Sequence, residues 1–276
     1  MVRQSKTFAG SRRRESLQEP NEAKVREPLA TTLLEGDVKR FALFLDVDGT
    51  LLEIAPTPDS VVVPDRLIEL LVRVTKGLDG AVAVITGRKL ADIDRMLAPA
   101  KLTGAGVHGA ELRTSPGGEI MPVAAPIPQD FVSEVIELAR HWPRVIAEPK
   151  GPGIAIHYRL APELKSTVER ELRERVARHP TDLLICPGRK VFEVIPAGFS
   201  KGEALKTLAA LPLFRGRTPI MIGDDVGDEP AQAAALQMGG FGLKVSGEHF
   251  DPAVADLAGP TGVHAWLERL AERLET

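Results

Sequence analysis

The sequence predicts a protein of the α/β class, with a doubly wound parallel sheet and an inserted α+β domain of two αββ units. Three observations predict this architecture. Short apolar runs without alternation are separated by amphipathic stretches of helical length, several apolar runs end directly in polar residues, and a middle segment repeats the order helix-strand-strand. Continuous apolar runs are typical of strands that helices cover on both faces of a parallel sheet.

The strands and helices of the core are predicted from these two patterns. Continuous apolar runs predict strands at 41–46, 81–85, 103–107, 218–222 and 240–245. Amphipathic stretches predict helices near 64–78, 89–98, 200–211 and 228–238. Because parallel strands are joined by right-handed crossovers, their carboxyl ends should meet at one edge of the sheet, where α/β proteins bind ligands.

The middle segment predicts a separate small domain. Each of its two helices is followed by two β-rich runs around a Pro-Gly turn, which predicts antiparallel hairpins backed by helices. We assign residues 38–122 and 197–276 to the core and residues 123–196 to the inserted domain. Residues 1–37 are polar and charged and show no periodicity, so a flexible tail is expected there.

The composition is that of an ordinary globular protein, since 43% of the 276 residues are hydrophobic and 26% are charged. A net charge of −3 provides no basic footprint for nucleic acid, and no apolar run approaches the ~18 residues that cross a bilayer. The single cysteine, Cys186, excludes an internal disulfide and favours a reducing, cytoplasmic compartment. We expect a monomer that binds neither nucleic acid nor membrane.

Four polar motifs follow strands or begin helices of the predicted core. They are Asp46-Val47-Asp48-Gly49-Thr50, Thr86-Gly87-Arg88, Ser200-Lys201-Gly202 and Gly223-Asp224-Asp225-Val226-Gly227-Asp228-Glu229. Each motif alone has an ordinary explanation, such as a helix cap or, for Asp-Gly, a tight hairpin turn. The run before Asp46 does not alternate as a half-exposed hairpin strand would, so we place Asp46 at the end of a central strand.

Acidic residues at one sheet edge indicate a phosphate handled beside a divalent cation. Carboxylates that face one point repel each other, and hard oxygen ligands select Mg²⁺. Asp46 can attack phosphorus to give an acyl phosphate, and Asp48 can protonate the leaving oxygen and later deprotonate the attacking water. Lys201, Thr86 and Gly87 can bind the phosphoryl oxygens.

The four motifs resemble those of the haloacid-dehalogenase-like (HAD) phosphatases, and the resemblance covers residues 41–276. The stretches ITGR, GVHGAELR, AIHYR, VFEVIPAGFSKGEAL and GDDVGDE are similar to trehalose-6-phosphate phosphatases within that superfamily. This resemblance implies a Rossmann-like core and a type IIB cap. It implies that Asp46 is the nucleophile and Asp48 the acid/base. The implied Mg²⁺ ligands are Asp46, the main-chain carbonyl of Asp48 and Asp224, with Asp228 as a further acidic group.

Sugar recognition is expected on the cap and at its junction with the core. The candidate substrate-binding residues are Gly87, Arg88, His108, Arg113, Glu148, Lys150, His157, Arg159 and Glu193. Alternation with period two puts Ile154 and Ile156 on one face of a strand and His157 and Arg159 on the other. The alternative for the charged cap residues is ordinary ion pairing on a solvated face. His108 equally fits a structural histidine. For Arg88 the alternatives are phosphate binding and pairing with a helix acid.

The expected activity is hydrolysis of trehalose 6-phosphate to trehalose and phosphate, with Mg²⁺ and an aspartyl-phosphate intermediate. Two alternatives keep the chemistry and change the substrate: another sugar phosphatase, or a phosphomutase. A third alternative is a non-catalytic phosphosugar sensor, against which the full set of core carboxylates argues. One departure concerns Gly227, where the family usually carries threonine. The change removes a hydroxyl but no carboxylate, so it concerns the rigidity of that loop.

Overall fold

The computed structural model describes residues 29–57 and 60–276. Within these ranges the strands are β1 (Phe41–Leu45), β2 (Val82–Ile85), β3 (Thr103–Gly106), β4 (Glu111–Arg113), β5 (Met121–Pro122), β6 (Ile146–Pro149), β7 (Ile154–His157), β8 (Leu183–Gly188), β9 (Val191–Pro196), β10 (Thr218–Gly223) and β11 (Phe241–Lys244). The helices are α1 (Leu29–Leu33), α2 (Asp65–Gly77), α3 (Leu90–Met96), α4 (Gln129–Arg140), α5 (Lys165–Arg178), α6 (Lys201–Ala209), α7 (Glu229–Gln237) and α8 (Gly259–Glu275). Across the described ranges, no helix combines the length and the apolar character that a bilayer span requires.

The larger sheet has seven strands in the order β11-β10-β1-β2-β3-β4-β5. The five strands from β11 to β3 are parallel, and every residue of β1 and β2 is buried. The winding direction reverses beside β1, because β2 and β3 lie on one side of it while β10 and β11 lie on the other. Such a reversal opens a crevice at the carboxyl ends of the strands, which is where open α/β sheets bind ligands.

The predicted α/β class is confirmed, and each predicted core strand and helix is present with ends that differ by about two residues at most. The sheet differs from the prediction at one edge, where β4 and β5 pair antiparallel. The chain reverses in the 3₁₀ turn Val107–Gly109, in which Val107 and His108 have φ values of 46° and 55°. Strands of three and two residues are too short to show a period.

The second sheet has four antiparallel strands in the order β6-β7-β9-β8. The element order α4-β6-β7-α5-β8-β9 is the predicted pair of αββ units. Helices α4 and α5 pack against this sheet around a second apolar core, which includes Phe131, Val135, Ile156, Val168 and Phe192. We call these elements the cap, and residues 123–196 remain our proposal for its bounds.

Residues 29–37 pack on the core, so the prediction of a tail over residues 1–37 is wrong for this segment. Helix α1 buries Ala30, and the indole Nε1 of Trp266 on α8 donates a hydrogen bond of 2.6 Å to the Ala30 carbonyl. A helix of five residues is too short for its period to be recognised. The remainder of the predicted tail, residues 1–28, lies outside the described residues.

Candidate active site

Three buried carboxylates meet at the carboxyl edge of the larger sheet. Strands β1 and β10 are paired neighbours, with Leu45 opposite Ile222, so Asp46 and Asp224 emerge close together from their ends. Asp228 joins them from the residue before α7. Each of the three side chains offers a carboxylate oxygen, and these oxygens lie within 4.8 Å of one another. We call these three aspartates the acidic centre.

Lys201, the first residue of α6, is buried beside the acidic centre. Its Nζ atom donates hydrogen bonds of 2.6 Å to Oδ1 of Asp46 and 2.6 Å to Oδ1 of Asp228. The Ser200 side chain accepts from the Glu203 amide, which fixes the start of the helix and with it the position of Lys201. Burial alone lowers the pKa of Lys201, but the charges of Asp228 and Asp46 outweigh it and raise the pKa well above its ordinary value.

The acidic centre carries more negative charge than Lys201 neutralises. Burial raises the pKa of Asp46 well above its ordinary value, with repulsion from Asp228 adding to the shift and Lys201 opposing it. Burial also raises the pKa of Asp224 to about 7, again with repulsion from Asp228. With all three carboxylates ionised, one ammonium group would leave two negative charges in a buried space, and the raised pKa values reflect this repulsion. That charge balance and that all-oxygen donor set fit a hard divalent cation.

Two glycines leave room for carboxylates of the acidic centre to approach the backbone. Gly49 has a φ of 89°, and a Cβ atom there would lie 2.2 Å from Oδ2 of Asp224. A Cβ atom on Gly223 would lie 2.4 Å from Cγ of Asp228. Beside them, the Thr50 hydroxyl donates to Oδ1 of Asp224 at 3.2 Å. Glycine is required at both positions because the carboxylates approach the backbone where a side chain would stand.

The turn that carries Asp228 is fixed without the threonine that the family usually has at position 227. Asp225 caps the 3₁₀ turn Val226–Asp228, and Oδ2 of Asp228 accepts from the Asp225 amide at 3.0 Å, which completes a capping box. A Cβ atom on Gly227 would lie 3.8 Å from the carbonyl oxygen of Pro187 in the cap. The capping box therefore holds this turn without a side chain at position 227.

Asp48 and Arg88 form a bidentate ion pair at the rim of the acidic centre. Arg88 Nε donates to Oδ2 of Asp48 at 2.6 Å, and Nη2 donates to Oδ1 at 2.7 Å. The Arg88 amide donates to the Thr86 hydroxyl oxygen at 3.1 Å, which shapes the turn after β2. Arg88 thus holds the predicted acid/base residue, a partner that neither interpretation of the sequence had assigned to it.

A second buried cluster joins the cap to the core. Glu193 on β9 accepts a hydrogen bond of 2.5 Å from Nζ of Lys150. Its other carboxylate oxygen pairs with Nε2 of His108. Lys150 also donates to the Gly87 carbonyl at 2.9 Å. Burial alone raises the pKa of Glu193, but the charges of Lys150 and His108 outweigh it and hold the pKa below its usual range. We call Glu193, Lys150 and His108 the cap bridge.

The alternation predicted for β7 agrees with the structure. Ile154 and Ile156 are buried in the cap core, whereas His157 and Arg159 line the space between cap and core. His157 Nε2 pairs with Glu148 at 2.8 Å. The charged cap residues therefore form ion pairs, as the alternative interpretation expected, but these pairs face the interdomain cleft and not a solvated sheet face.

One cleft between cap and core contains nearly all the predicted site residues. The cleft is open to solvent on one side and is lined by polar and charged side chains from both the cap and the core. The predicted residues that line it are Asp46, Asp48, Thr86, Gly87, Arg88, His108, Glu148, Lys150, His157, Arg159, Glu193 and Lys201. Asp224 and Asp228 complete the acidic centre beside Asp46. Among the described residues, no phenylalanine, tyrosine or tryptophan lines this cleft.

Arg113 is absent from the described lining of the cleft, so its prediction as a substrate-binding residue is wrong. Its side chain is fully buried in the core, where Nε donates to the Leu102 carbonyl at 2.7 Å. The guanidinium group also pairs with Asp94, on α3, at 2.7 Å. Arg113 lies on β4, the antiparallel strand that the sequence did not reveal, so the direction of its side chain could not be inferred.

Several residues of the cleft were missed by the sequence reasoning. Arg189, in the turn between β8 and β9, lines the cleft, and its Nη1 atom lies 3.9 Å from Oδ2 of Asp224. Arg144 and Asp225 line the cleft as well. An apolar wall is formed by Ile54, Val61, Ile146 and Leu160. The Pro-Gly signal located the turn of Arg189, but a turn signal does not say what its side chains face.

Comparison with known proteins adds an independent finding. The family model for trehalose-phosphatase matches residues 44–251, a range that includes the acidic centre, Lys201 and all the strands of the cap. The chain belongs to the trehalose-phosphatase family. A relative, trehalose-6-phosphate phosphatase of Escherichia coli (strain K12), is 36% identical over 237 residues, which are 86% of this chain and 88% of that protein. As a member of this family, the chain is a phosphatase.

Solved structures share the fold of this trehalose-phosphatase family member. The C-terminal domain of C. albicans trehalose-6-phosphate phosphatase matches with a TM-score of 0.76 and 22% identity, over 90% of this chain and 97% of that chain. A phosphatase of the HAD superfamily from Bacteroides thetaiotaomicron matches with a TM-score of 0.55 and 20% identity, over 85% and 96%. The predicted HAD fold with a cap is confirmed.

Proposed function

We propose that this chain is a Mg²⁺-dependent phosphatase that hydrolyses trehalose 6-phosphate to trehalose and phosphate through a phosphorylated Asp46. The observation that carries the proposal is the position of the Asp46 carboxylate. It is buried at the end of β1, belongs to the acidic centre, and lines a cleft whose cap side is charged. Family membership and the name of the E. coli relative support trehalose 6-phosphate as the sugar.

The acidic centre supports Mg²⁺ as the cofactor. Asp46 and Asp224 would hold the ion together with the main-chain carbonyl of Asp48, and Asp228 would support the site through its hydrogen bond with Lys201. Both oxygens of Asp228 already accept hydrogen bonds, from Lys201 and from the Asp225 amide, which favours a supporting role for it. When bound, Mg²⁺ would neutralise the repelling carboxylates and polarise the phosphoryl group.

Asp46 is proposed as the nucleophile. Its carboxylate oxygen attacks phosphorus, a bond from that oxygen to phosphorus forms, and the bond from phosphorus to the sugar oxygen breaks. Lys201 keeps the carboxylate oriented through its 2.6 Å hydrogen bond and offsets the charge of the phosphoryl oxygens. Water then attacks phosphorus, the acyl-phosphate bond breaks, and Asp46 returns as a carboxylate with phosphate as the product.

Asp48 is proposed as the acid and base in these two steps. It gives a proton to the leaving sugar oxygen and later takes one from the attacking water. In the structure both of its carboxylate oxygens accept hydrogen bonds from Arg88. Arg88 therefore has to release at least one of these hydrogen bonds before Asp48 can donate a proton to the substrate.

The cap bridge and its neighbours are proposed to recognise the sugar. Glu193, Lys150 and His108 satisfy one another in the structure, and Glu148 pairs with His157. Sugar hydroxyls both donate and accept hydrogen bonds, so they can replace parts of these contacts without leaving a charge unpaired. Lys150 donates hydrogen bonds to both the Gly87 carbonyl and the Glu193 carboxylate, which links the proposed sugar site to the proposed phosphoryl site.

A phosphate-release assay with several sugar phosphates tests the proposed substrate. The purified enzyme with Mg²⁺ should have its highest kcat/KM for trehalose 6-phosphate, compared with sucrose 6-phosphate and glucose 6-phosphate. A higher kcat/KM for another phosphosugar would contradict the proposed substrate but not the proposed phosphatase mechanism. Transfer of phosphate between sugar hydroxyls, without release, would indicate a phosphomutase. Tight binding without either reaction would indicate a sensor.

Removal of the metal is expected to stop the reaction. Treatment with a chelator should lower the rate about 100-fold or more, because a cation at a phosphoryl group contributes several kcal/mol to the transition state. Addition of Mg²⁺ should restore the rate, and chelator already saturated with Mg²⁺ is the control. A rate that survives dialysis against the free chelator would contradict the role of the acidic centre.

Replacement of Glu193 by glutamine is expected to weaken sugar recognition. The value of kcat/KM for trehalose 6-phosphate should fall about 10-fold to 100-fold, since hydrogen bonds to charged groups contribute about 1.5–3 kcal/mol. Hydrolysis of a small phosphate ester without a sugar, such as p-nitrophenyl phosphate, should change about twofold at most. An equal loss with both substrates would place Glu193 in the phosphoryl chemistry instead.

The same variant gives a pH test of stability. The pKa of Glu193 is held below its ordinary value of 4.5, so its stabilising effect is fully present above pH 4.5 and is lost as pH falls below it. The difference in Tm between wild type and Glu193→Gln should therefore shrink in acid. Glu137→Gln, which removes one partner of an exposed ion pair on α4, is the control. Its difference in Tm from wild type should not change over the same pH range.

Two further expectations stay proposals, namely that the enzyme is a monomer and that it is cytoplasmic. The free thiol of Cys186 supports a reducing location. Sedimentation analysis of the purified protein tests the first expectation, and fractionation of the source cells tests the second.

A further inference from the structure

The turn between β8 and β9 rests on the core at the edge of the acidic centre. Its two central residues, Arg189 and Lys190, both reach Glu248, which lies in the core after β11. Arg189 Nε is 3.2 Å from Oε2 of Glu248, and Lys190 Nζ is 2.9 Å from Oε1. One carboxylate of the core thus forms ion pairs with two cations of the cap, with one oxygen for each.

The geometry of the β8–β9 hairpin connects this contact to the position of Glu193. Strands β8 and β9 pair from Leu183 opposite Pro196 to Gly188 opposite Val191, so the turn is at the end far from where the chain returns to the core after Pro196. Six residues of strand span about 20 Å. Glu193, the centre of the cap bridge, lies between these ends. An anchor at the turn therefore controls how closely the middle of β9 approaches the core.

Glu248 is held on a fixed loop. The Ser246 amide donates to the Leu257 carbonyl at 2.8 Å, and the Gly247 amide donates to the Phe250 carbonyl at 3.0 Å. These hydrogen bonds belong to the core and involve no cap residue. Glu248 therefore lies on a loop whose backbone hydrogen bonds are made within the core and do not involve the cap.

A neighbouring cap residue contacts the core beside this anchor. Arg159 donates hydrogen bonds to the carbonyl of Ala55, in the core, and to the carbonyl of Arg189 at 2.9 Å. The Arg159 side chain thereby ties the β8–β9 turn to the loop after β1. Asp224 adds a third core contact, since its Oδ2 atom lies 3.9 Å from Nη1 of Arg189. Of the three core groups that hold the turn, only Glu248 has a side chain that is about half exposed.

We propose that Glu248 is a positioning residue for the phosphatase reaction, which docks the β8–β9 turn on the core and so sets the position of Glu193 over the cleft. The proposal rests on the proposed function for its kinetic part. Glu248 contacts neither the acidic centre nor the cap bridge in the described residues, so it acts through Arg189 and Lys190. Its side chain is 47% exposed, which makes the anchor weak enough to open for substrate entry.

Glu248→Gln is the test variant and Glu268→Gln is its matched control. Glu268 also accepts from two cations, Arg66 and Arg73, but all three residues belong to the core. For Glu248→Gln, KM for trehalose 6-phosphate should rise about 3-fold to 10-fold with a smaller change in kcat. Hydrolysis of p-nitrophenyl phosphate should be unchanged, and 1 M salt should abolish the difference between wild type and variant.

Hydrogen–deuterium exchange tests the anchor without substrate. Amides of residues 187–192 should exchange faster in Glu248→Gln than in wild type or Glu268→Gln, while the core strands keep their protection. Unchanged exchange there, or an unchanged KM, would overturn the proposal. If Glu248→Gln does not fold, Glu248→Asp provides the same two measurements. The two proposals can fail separately. If these amides exchange faster in Glu248→Gln, but the wild-type enzyme does not hydrolyse trehalose 6-phosphate, the proposed substrate is wrong and the role of Glu248 as an anchor still holds.

Discussion

Asp46→Asn should lower the rate of phosphate release at least about 10⁴-fold, because asparagine retains the shape of the side chain but cannot form an acyl phosphate. The variant should still fold, since Lys201 can donate to an amide oxygen as it does to the carboxylate. Quenching the wild-type reaction should leave a phosphoryl group on the peptide that contains Asp46. Single-turnover kinetics and mass spectrometry of the quenched enzyme measure both effects.

Asp92→Asn is the matched control for this variant. Asp92 lines the same cleft but lies on α3, outside the acidic centre. Its replacement should change the rate by about twofold at most. Wild-type turnover in Asp46→Asn would exclude Asp46 as the nucleophile, and a phosphorylated peptide elsewhere would identify the residue that takes its place.

Lys201→Met should produce the largest loss of stability among the substitutions considered. Removal of one partner from a buried ion pair typically costs about 3–5 kcal/mol, and here it leaves the carboxylates of Asp46 and Asp228 without their shared cation. Activity should fall about 100-fold to 1,000-fold as well, since a cation is lost beside the phosphoryl oxygens. Urea unfolding and steady-state kinetics measure the two losses.

Magnesium separates the structural and catalytic parts of this effect. A bound divalent cation offsets the repulsion within the acidic centre, so the stability difference between wild type and Lys201→Met should narrow in Mg²⁺ while the kinetic difference persists. Lys206→Met is the control, because Lys206 lies on the same helix in an exposed pair with Glu203. A variant that is as stable as wild type without metal would contradict the charge balance described for the site.

The core of the fold could be predicted because its strands are continuous apolar runs and each ends in a polar motif. The acidic centre could be predicted for the same reason, since parallel strands bring Asp46 and Asp224 to one edge. These inferences need only the order of the elements along the chain. They do not need the direction of any single side chain on an irregular segment.

The errors arose where that direction decides the outcome. Arg113 was misassigned because β4 has three residues, and its antiparallel pairing turns the guanidinium towards Asp94 and not towards the cleft. His108 proved to be both a buried, bonded histidine and a cleft residue, because the left-handed turn of Val107 and His108 brings its ring to Glu193. Pairings between a turn and a distant loop, such as that of Arg189 with Glu248, have no local signature at all.

The absence of phenylalanine, tyrosine and tryptophan from the described lining of the cleft bears on how selective this enzyme can be. A flat ring accepts many pyranoses by stacking on their carbon faces, whereas charged groups bond hydroxyls only in certain orientations. A sugar with one inverted hydroxyl could not form the hydrogen bond that its epimer forms with such a group, a loss that sites built on hydrogen bonds to hydroxyls discriminate against strongly. If the cap binds the sugar as proposed, discrimination between epimers would rest on the directions of these charged groups and not on the volume of the cleft.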